Sequence, residues 1–406
     1  MPWKEIRTVE ERLKFVAALR SGNWSMSELC RQFGISRVTG YKFIKRYETE
    51  GIDGLKDRSH AVHNQPSRTA DRFVRMILDM RTDHPTWGSR KLLERLRGRY
   101  PTVKEWPAAS TVTEILRRAG RIQPRRQRRK NPVKVYPLSH VKDPNDVWCA
   151  DFKGHFTVGN GQRCDPLTIS DAHSRFLLAC EGVKKANTEE VMRVFTAIFR
   201  ENGLPEAIRT DNGTPFATSQ ALAGLSRLSV WWLKLAIRLE RIRPGNPQEN
   251  GRHERMHRTL KQETALPARS SLRSQQEAFD RFRFVYNNER PHEALSMKCP
   301  VEIYRPSRRE SPERPLVVEY NTGIEPCKVS DEGVAYYSGF RIFLSSALRN
   351  ETVGFEDIDE RHRRIYFASA ALGILDAFTG KLLHYKNPMA ISDQAVVSDQ
   401  IGLQCK

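Results

Sequence analysis

No stretch of this chain approaches the run of about 18 consecutive apolar residues that a membrane-spanning helix needs, so neither a transmembrane segment nor a membrane partner is expected. The N-terminal residues lack the apolar core of a secretory signal, and export is not expected either. Cysteine is sparse: seven residues stand singly at positions 30, 149, 164, 180, 299, 327 and 405, with no C-x-x-C pair. Such spacing argues against a disulfide framework and a cysteine-based zinc site, and suits a reducing cytosol. Negative charge is also short. Against 68 Lys and Arg there are 48 Asp and Glu, a formal net charge of +20 and a pI near 9.8. That excess favours a polyanionic partner, nucleic acid ahead of an anionic membrane. The length of 406 residues allows about two to four domains, each with its own core.

What is there begins with residues 8–47, which read as helix, break, helix, turn, helix. Ser25-x-x-Glu28 makes a capping box, so a helix starts near Met26 and carries Leu29, Cys30 and Phe33. Gly34 supplies the turn and Ser36 caps the next helix, which presents Arg37, Thr39, Lys42, Lys45 and Arg46 as a major-groove reader would. Gly40 fits less well there, since glycine inside a helix costs about 1 kcal/mol relative to alanine. An ordinary three-helix bundle with a basic face is the alternative. Residues 51–65 are turn-rich and polar, a linker. A second compact helical unit, plain or winged, follows from Phe73, Ile77 and Met80, then Leu92, Leu93 and Leu96, then Val112, Ile115 and Leu116 behind a Ser110 cap. Residues 121–134 are a charge run with two prolines, read as a linker lying along a DNA backbone.

From residue 147 the period changes to two. Residues 147–158 alternate around Asp151, Gly159-Asn160-Gly161 turns the chain, residues 167–170 pair back, and residues 175–181 form a third strand. Thr188 caps a helix, and residues 207–210 are a short strand ending at Asp211-Asn212-Gly213. This order suits a mixed sheet covered by helices. Asp151 inside a strand is costly unless it faces a site, and Asp211 stands at the carboxyl end of a strand, where α/β sheets place ligands. Most aspartates at strand ends only shape turns, so neither decides alone.

Residues 244–261 organise the rest. Pro247 can begin a helix on which Arg258 and Lys261 lie within about 40° of Glu254, with Met256 and Leu260 opposite. A carboxylate beside two cations suits a metal and a phosphate backbone; a surface helix with its charges in water fits the pattern equally. The same run, His253-Glu254-Arg255-Met256-His257, spells the zinc-peptidase pattern, with Glu277 downstream as a third ligand, in a chain that holds 11 histidines. His253 and His257 flank the Glu254 face, where they could contact DNA. Residues 271–287 form an amphipathic helix, residues 316–385 a small β domain of SH3-like kind, and the chain after residue 387 is polar.

Four motifs in order now carry a resemblance: Trp148-Cys149-Ala150-Asp151-Phe152, then Arg209-Thr210-Asp211-Asn212-Gly213 with Phe216, then Asn246-Pro247-Gln248-Glu249-Asn250-Gly251 leading to Glu254, then Tyr286-Asn287 with Arg290-Pro291-His292. Over roughly residues 8–306 the chain resembles the DDE transposase and retroviral-type integrase superfamily, most closely the bacterial IS481-like insertion-sequence transposases. It departs in the 42 residues between Asp211 and Glu254, and in having no N-terminal His/Cys zinc module. The resemblance implies helix-turn-helix domains at residues 1–60 and 66–122, a basic linker at 123–143, and an RNase H-like α/β core at 144–268 with a helical extension at 269–310. A small β domain at 316–390 would complete the chain. It further implies that Asp151, Asp211 and Glu254 hold two Mg²⁺ ions, replaceable by Mn²⁺, for phosphoryl transfer, an expectation that three hard oxygen donors support chemically. Asn212 and Gly213 would let the backbone approach the metal, and Arg258 and Lys261 would hold phosphates. Implied partners are the element's terminal repeats, target DNA and further copies of the chain, in the bacterial cytoplasm on the nucleoid. A DNA-binding regulator without activity and a zinc peptidase are the alternatives.

Overall fold

The computed structural model describes residues 8–58, 69–122, 138, 140–218, 221–242, 251–313 and 316–383. Residues 123–137 and 139 of the basic linker, the expected helix start at Pro247, Glu249 and the polar tail lie outside these residues. Contacts divide the chain into two compact units, residues 1–69 and 70–406.

The first unit is built by its caps. Helices α1 (Thr8–Arg20), α2 (Met26–Gln32) and α3 (Arg37–Glu50) follow one another, with the Ser25–Glu28 capping box complete in both directions and Ser36 capping α3. The misfit at Gly40 has a packing reason. Gly40 is buried where the helices meet, and a Cβ there would stand 2.8 Å from Cys30 Sγ and 3.0 Å from the Phe15 ring. The linker begins later than its polarity indicates. Residues Gly51–Leu55 form a 3-10 turn whose Leu55 is fully buried, and the Arg12 guanidinium donates to the Leu55 carbonyl at 2.7 Å.

The second unit opens with α4 (Asp71–Asp83), α5 (Ser89–Arg99) and α6 (Ala109–Arg118), packed around Ile77, Trp87, Leu92, Leu96, Val112 and Leu116. Ser110 lies inside α6 and does not cap it, because Ala108 takes the capping position. No strand occurs among the described residues of this part.

A mixed sheet follows: β1 (Val147–Phe152), β2 (Phe156–Thr157), β3 (Arg163–Asp171) and β4 (Leu177–Val183), then α7 (Thr188–Asn202), β5 (Ala207–Thr210), α8 (Arg227–Lys234), β6 (Arg238–Arg241), α9 (Gly251–Thr264) and α10 (Leu272–Asn288). Strands β1, β3 and β4 pair antiparallel, while β5 runs parallel to both β1 and β6. Asn187, one residue before the expected Thr188, accepts the Glu190 N–H and caps α7. Residues 231–242, within the 42 that separate Asp211 from Glu254, supply the end of α8 and the edge strand β6. One face of the sheet packs on α7 and α8 through Trp148, Phe195, Phe199 and Trp232. The other packs on α9 and α10 through Cys164, Met256, Leu260, Phe279 and Phe282. A strand's side chains alternate between faces, so Trp148 and Ala150 turn to α7 while Asp151 turns towards α9.

The C-terminal part contains β7 (Ile324–Lys328), β8 (Val334–Tyr337), β9 (Phe340–Phe343), β10 (Thr352–Asp357), β11 (His362–Phe367), β12 (Ala370–Asp376) and β13 (Lys381–Leu383). Five of these make an antiparallel sheet in the order β13-β12-β11-β10-β7, and β8 and β9 form a separate hairpin. It does not stand apart. Its apolar residues join the cluster on the α7/α8 face, and Lys234 pairs with Glu351 at 2.8 Å. The fold is thus helical at the front, mixed α/β in the centre and antiparallel β at the end.

Candidate active site and nucleic-acid interface

Asp151 comes from the end of β1, Asp211 from the loop directly after the neighbouring β5, and Glu254 from the first turn of α9. Asp151 is half-buried, and its pKa is pushed up to about 7, first by burial and then by the negative charge of Asp211, with Glu254 adding to it. Two further carboxylates therefore act on the one that the sheet holds. Among the described residues no three His, Cys, Asp or Glu side chains already stand close enough to share an ion. Glu254 is exposed on the first turn of its helix. A divalent cation fits this donor set: it would bind hard oxygens and offset the mutual repulsion that raises Asp151.

The surroundings shape each group. Gly213 donates its N–H to Asp211 Oδ1 at 3.1 Å, and a Cβ on Gly213 would stand 3.2 Å from the other carboxylate oxygen. Asn212 donates its side-chain amide to the Ile242 carbonyl at 2.7 Å, tying this loop to the end of β6. On α9, Glu254, Arg258 and Lys261 are exposed while Met256 and Leu260 are buried. His253 and His257 do not flank that face for DNA contact. They are 2% and 5% exposed, and burial holds both imidazoles well below their ordinary pKa, so they are neutral at pH 7. Their Nε2 atoms both lie 2.6 Å from one hydroxyl, Thr168 Oγ1. The zinc-peptidase reading fails on this geometry, because the point where the two imidazoles converge is filled by a threonine and Glu254 faces away to solvent.

Helix α3 separates the five residues expected on it. Arg37, Lys42 and Lys45 are exposed, whereas Thr39 joins the Ser36 cap and Arg46 is half-buried with its guanidinium over the Phe43 ring. Val38 and Tyr41, 79% and 60% exposed, share the outer arc with the three cations.

Comparison with known proteins decides the class. Residues 141–247 and 235–300 each match an integrase core domain, residues 11–61 a helix-turn-helix domain and residues 39–116 a homeodomain-like domain. The chain thus carries an integrase core domain behind a helix-turn-helix domain. The chain is 27% identical over 201 residues to an uncharacterized protein of insertion element IS407 from Burkholderia multivorans, covering 47% of this chain and 67% of that protein. An uncharacterized protein of insertion element IS476 from Xanthomonas euvesicatoria is 23% identical over 261 residues, 64% of this chain and 71% of the relative. Among solved structures the chain is similar to the HTLV-2 integrase catalytic core in complex with magnesium, with a TM-score of 0.31 and 17% identity over 40% of this chain and 98% of that one. The superfamily resemblance carried by the four motifs therefore holds, and the helix-turn-helix and integrase domains mark a DNA-binding, polynucleotidyl-transferase type of protein. Among the described residues no helix is long and apolar enough to cross a membrane.

Sequence reading of the integrase core missed two cations. Lys153 acts on Asp151 and Arg241 on Asp211. Lys153 was within reach, two residues from Asp151 on the same strand face. Arg241 was not, because only the parallel pairing of β5 with β6 brings it beside Thr210 and Asp211.

The raised Asp151 pKa has a consequence for stability without metal. Between an ordinary carboxylate pKa near 3.9 and about 7, the folded protein keeps a proton that the unfolded chain has released, so stability falls as pH rises through this window, by up to about 1.4 kcal/mol per pH unit. Asp151→Asn removes that loss. In metal-free buffer the variant is expected to melt above the wild type at pH 8 and level with it at pH 4. Equal melting differences at both pH values would contradict the assignment.

Proposed function

We propose that the protein is a DDE-type transposase of an insertion element, which nicks DNA at the element's ends and joins the freed 3′-OH to target DNA. The observation that carries this reading is the placement of Asp151, Asp211 and Glu254 on separate elements of an integrase core, with the charges of Asp211 and Glu254 both acting on Asp151. These three would hold Mg²⁺, or Mn²⁺ in its place, as a pair of ions; when bound, such ions stabilise the attacking and leaving oxygens of a phosphoryl transfer. Asp211 is held for this by the Gly213 N–H, and Arg258 and Lys261 extend from α9 to receive DNA phosphates. In the first step water attacks a phosphodiester and leaves a 3′-OH and a 5′-phosphate. In the second, that 3′-OH attacks a target phosphodiester and displaces another 3′-OH. The work is done on the bacterial nucleoid. The decisive experiment incubates the protein and Mg²⁺ with DNA carrying the flanking ends of its own gene and maps the nicks. Binding without nicking would favour a silent regulator instead.

Residues 1–120 are proposed to bind the element's ends, with Arg37, Lys42 and Lys45 at phosphates or base edges and Val38 and Tyr41 offering apolar contact to them. Lys42→Ala is expected to lower the slope of log affinity against log salt by about one, measured by fluorescence anisotropy. An unchanged slope, or equal end selectivity from residues 140–310 alone, would speak against this placement.

Joining two ends in one event calls for at least two copies of the chain. Sedimentation on paired element ends is expected to give a dimer or larger during strand transfer. A monomer on both ends would rule that out.

A further inference from the structure

His253 and His257 have no part in the reaction as described so far, yet they are among the most buried polar side chains of the integrase core. We propose that Thr168, His253 and His257 are positioning residues, which lock the helix bearing Glu254 onto the strand bearing Asp151 and so set how the two carboxylates face a metal ion. The proposal rests on the metal-dependent reading above.

The geometry carries it. Thr168 lies on β3 directly opposite Asp151 of β1 in the sheet register, and its side chain is fully buried. Its hydroxyl donates to the Asp151 carbonyl at 3.2 Å and stands 2.6 Å from Nε2 of each histidine. A hydroxyl has one hydrogen and two lone pairs. With the hydrogen directed to Asp151, both imidazoles donate Nε2–H to the oxygen, which assigns both tautomers. His253 Nδ1 is then left to accept from Ser170 Oγ, 3.3 Å away on the same strand. The remaining nitrogen, His257 Nδ1, faces Asp151 Oδ2 at 3.9 Å. The two rings stand nearly perpendicular, with centroids 4.7 Å apart, so neither can turn without displacing the other. One hydroxyl thus joins the backbone of the first carboxylate strand to the helix turns on both sides of Glu254. The spacing of four residues is what places both rings over the same threonine.

Thr168→Val keeps the shape and removes the hydroxyl, and Thr168→Ser keeps the hydroxyl. The full chain, freed of metal, is titrated with Mn²⁺ and followed by calorimetry and electron paramagnetic resonance. Affinity for DNA is measured alongside without metal, and nicking is measured against Mg²⁺ concentration. Outer-shell partners of metal ligands typically affect metal affinity by about 10- to 100-fold. Thr168→Val is expected to weaken Mn²⁺ binding within that range and to shift the Mg²⁺ requirement for nicking upward, with DNA affinity unchanged. Thr168→Ser is expected to restore Mn²⁺ binding to near the wild-type value. Should Thr168→Val fail to fold, His257→Gln and His257→Leu give the same comparison, the first keeping an N–H donor and the second none, and only the second is expected to weaken Mn²⁺ binding. Wild-type Mn²⁺ binding by Thr168→Val, or equal loss in both His257 variants, overturns the positioning role. Asp151→Asn separates this outcome from failure of the metal site itself. If Asp151→Asn also binds Mn²⁺ like the wild type, the metal reading and the proposal fall together; if it loses Mn²⁺ while Thr168→Val does not, the proposal alone falls.

Discussion

Glu254→Gln is expected to bind element-end DNA as the wild type does and to lose nicking by at least about a hundredfold, the scale on which removal of one charge-stabilising group slows an active site. The amide is nearly isosteric and Glu254 is exposed, so the fold has no reason to change. What is lost is a negatively charged oxygen donor that also acts on Asp151. The measurement is single-turnover nicking of labelled end DNA in Mg²⁺, beside a binding isotherm for the same duplex. Glu249, from the same motif, is expected to tolerate change to Gln with substantial nicking retained, and the double change of His253 and His257 to Ala to leave the Mg²⁺ requirement in place. Nicking at the wild-type rate by Glu254→Gln would remove this residue from the site. Zinc-dependent peptide cleavage lost on changing the histidines would restore the peptidase reading that the Thr168 geometry opposes.

The largest expected effect on stability lies two residues before Asp211. Arg209 and Glu240 face each other across β5 and β6, 3% and 2% exposed, and their side chains meet at 2.7 Å with a second bond at 3.0 Å. His140 adds a contact to the same carboxylate at 3.1 Å. Removing one member leaves the other charged in a dry interior, which typically costs about 3–5 kcal/mol. Arg209→Ala is therefore expected to lower stability by that amount in urea unfolding followed by tryptophan fluorescence. Arg209→Met combined with Glu240→Leu is expected to recover most of the loss, because well-packed apolar residues replace a buried pair at little cost. An Arg209→Ala loss below about 1 kcal/mol, the level of an exposed pair, would show that the pair is solvated in solution.

Much of the molecule is written in its sequence. The Ser25–Glu28 box, the Ser36 cap and the apolar stripe of α7 depend on residues within one or two turns of each other. Local backbone geometry therefore writes them directly into the order of residues. The orientation of α9 was legible for the same reason: a helical period alone separates Glu254, Arg258 and Lys261 from Met256 and Leu260. Where the same local rules misled, a distant neighbour was the cause. Gly40 reads as a poor helix residue until Phe15 and Cys30 are seen to leave no room for a Cβ. The linker expected from residue 51 loses its first turn because Leu55 is buried and its carbonyl is held by Arg12. The histidines show the limit most plainly. Their spacing is the same for a zinc site, for DNA contact or for a structural lock, since all three need two side chains on one helix face. Only strand pairing, which sets Thr168 opposite Asp151 and under α9, decides among them. That pairing joins segments far apart in the chain through backbone hydrogen bonds that carry no mark in the side-chain sequence.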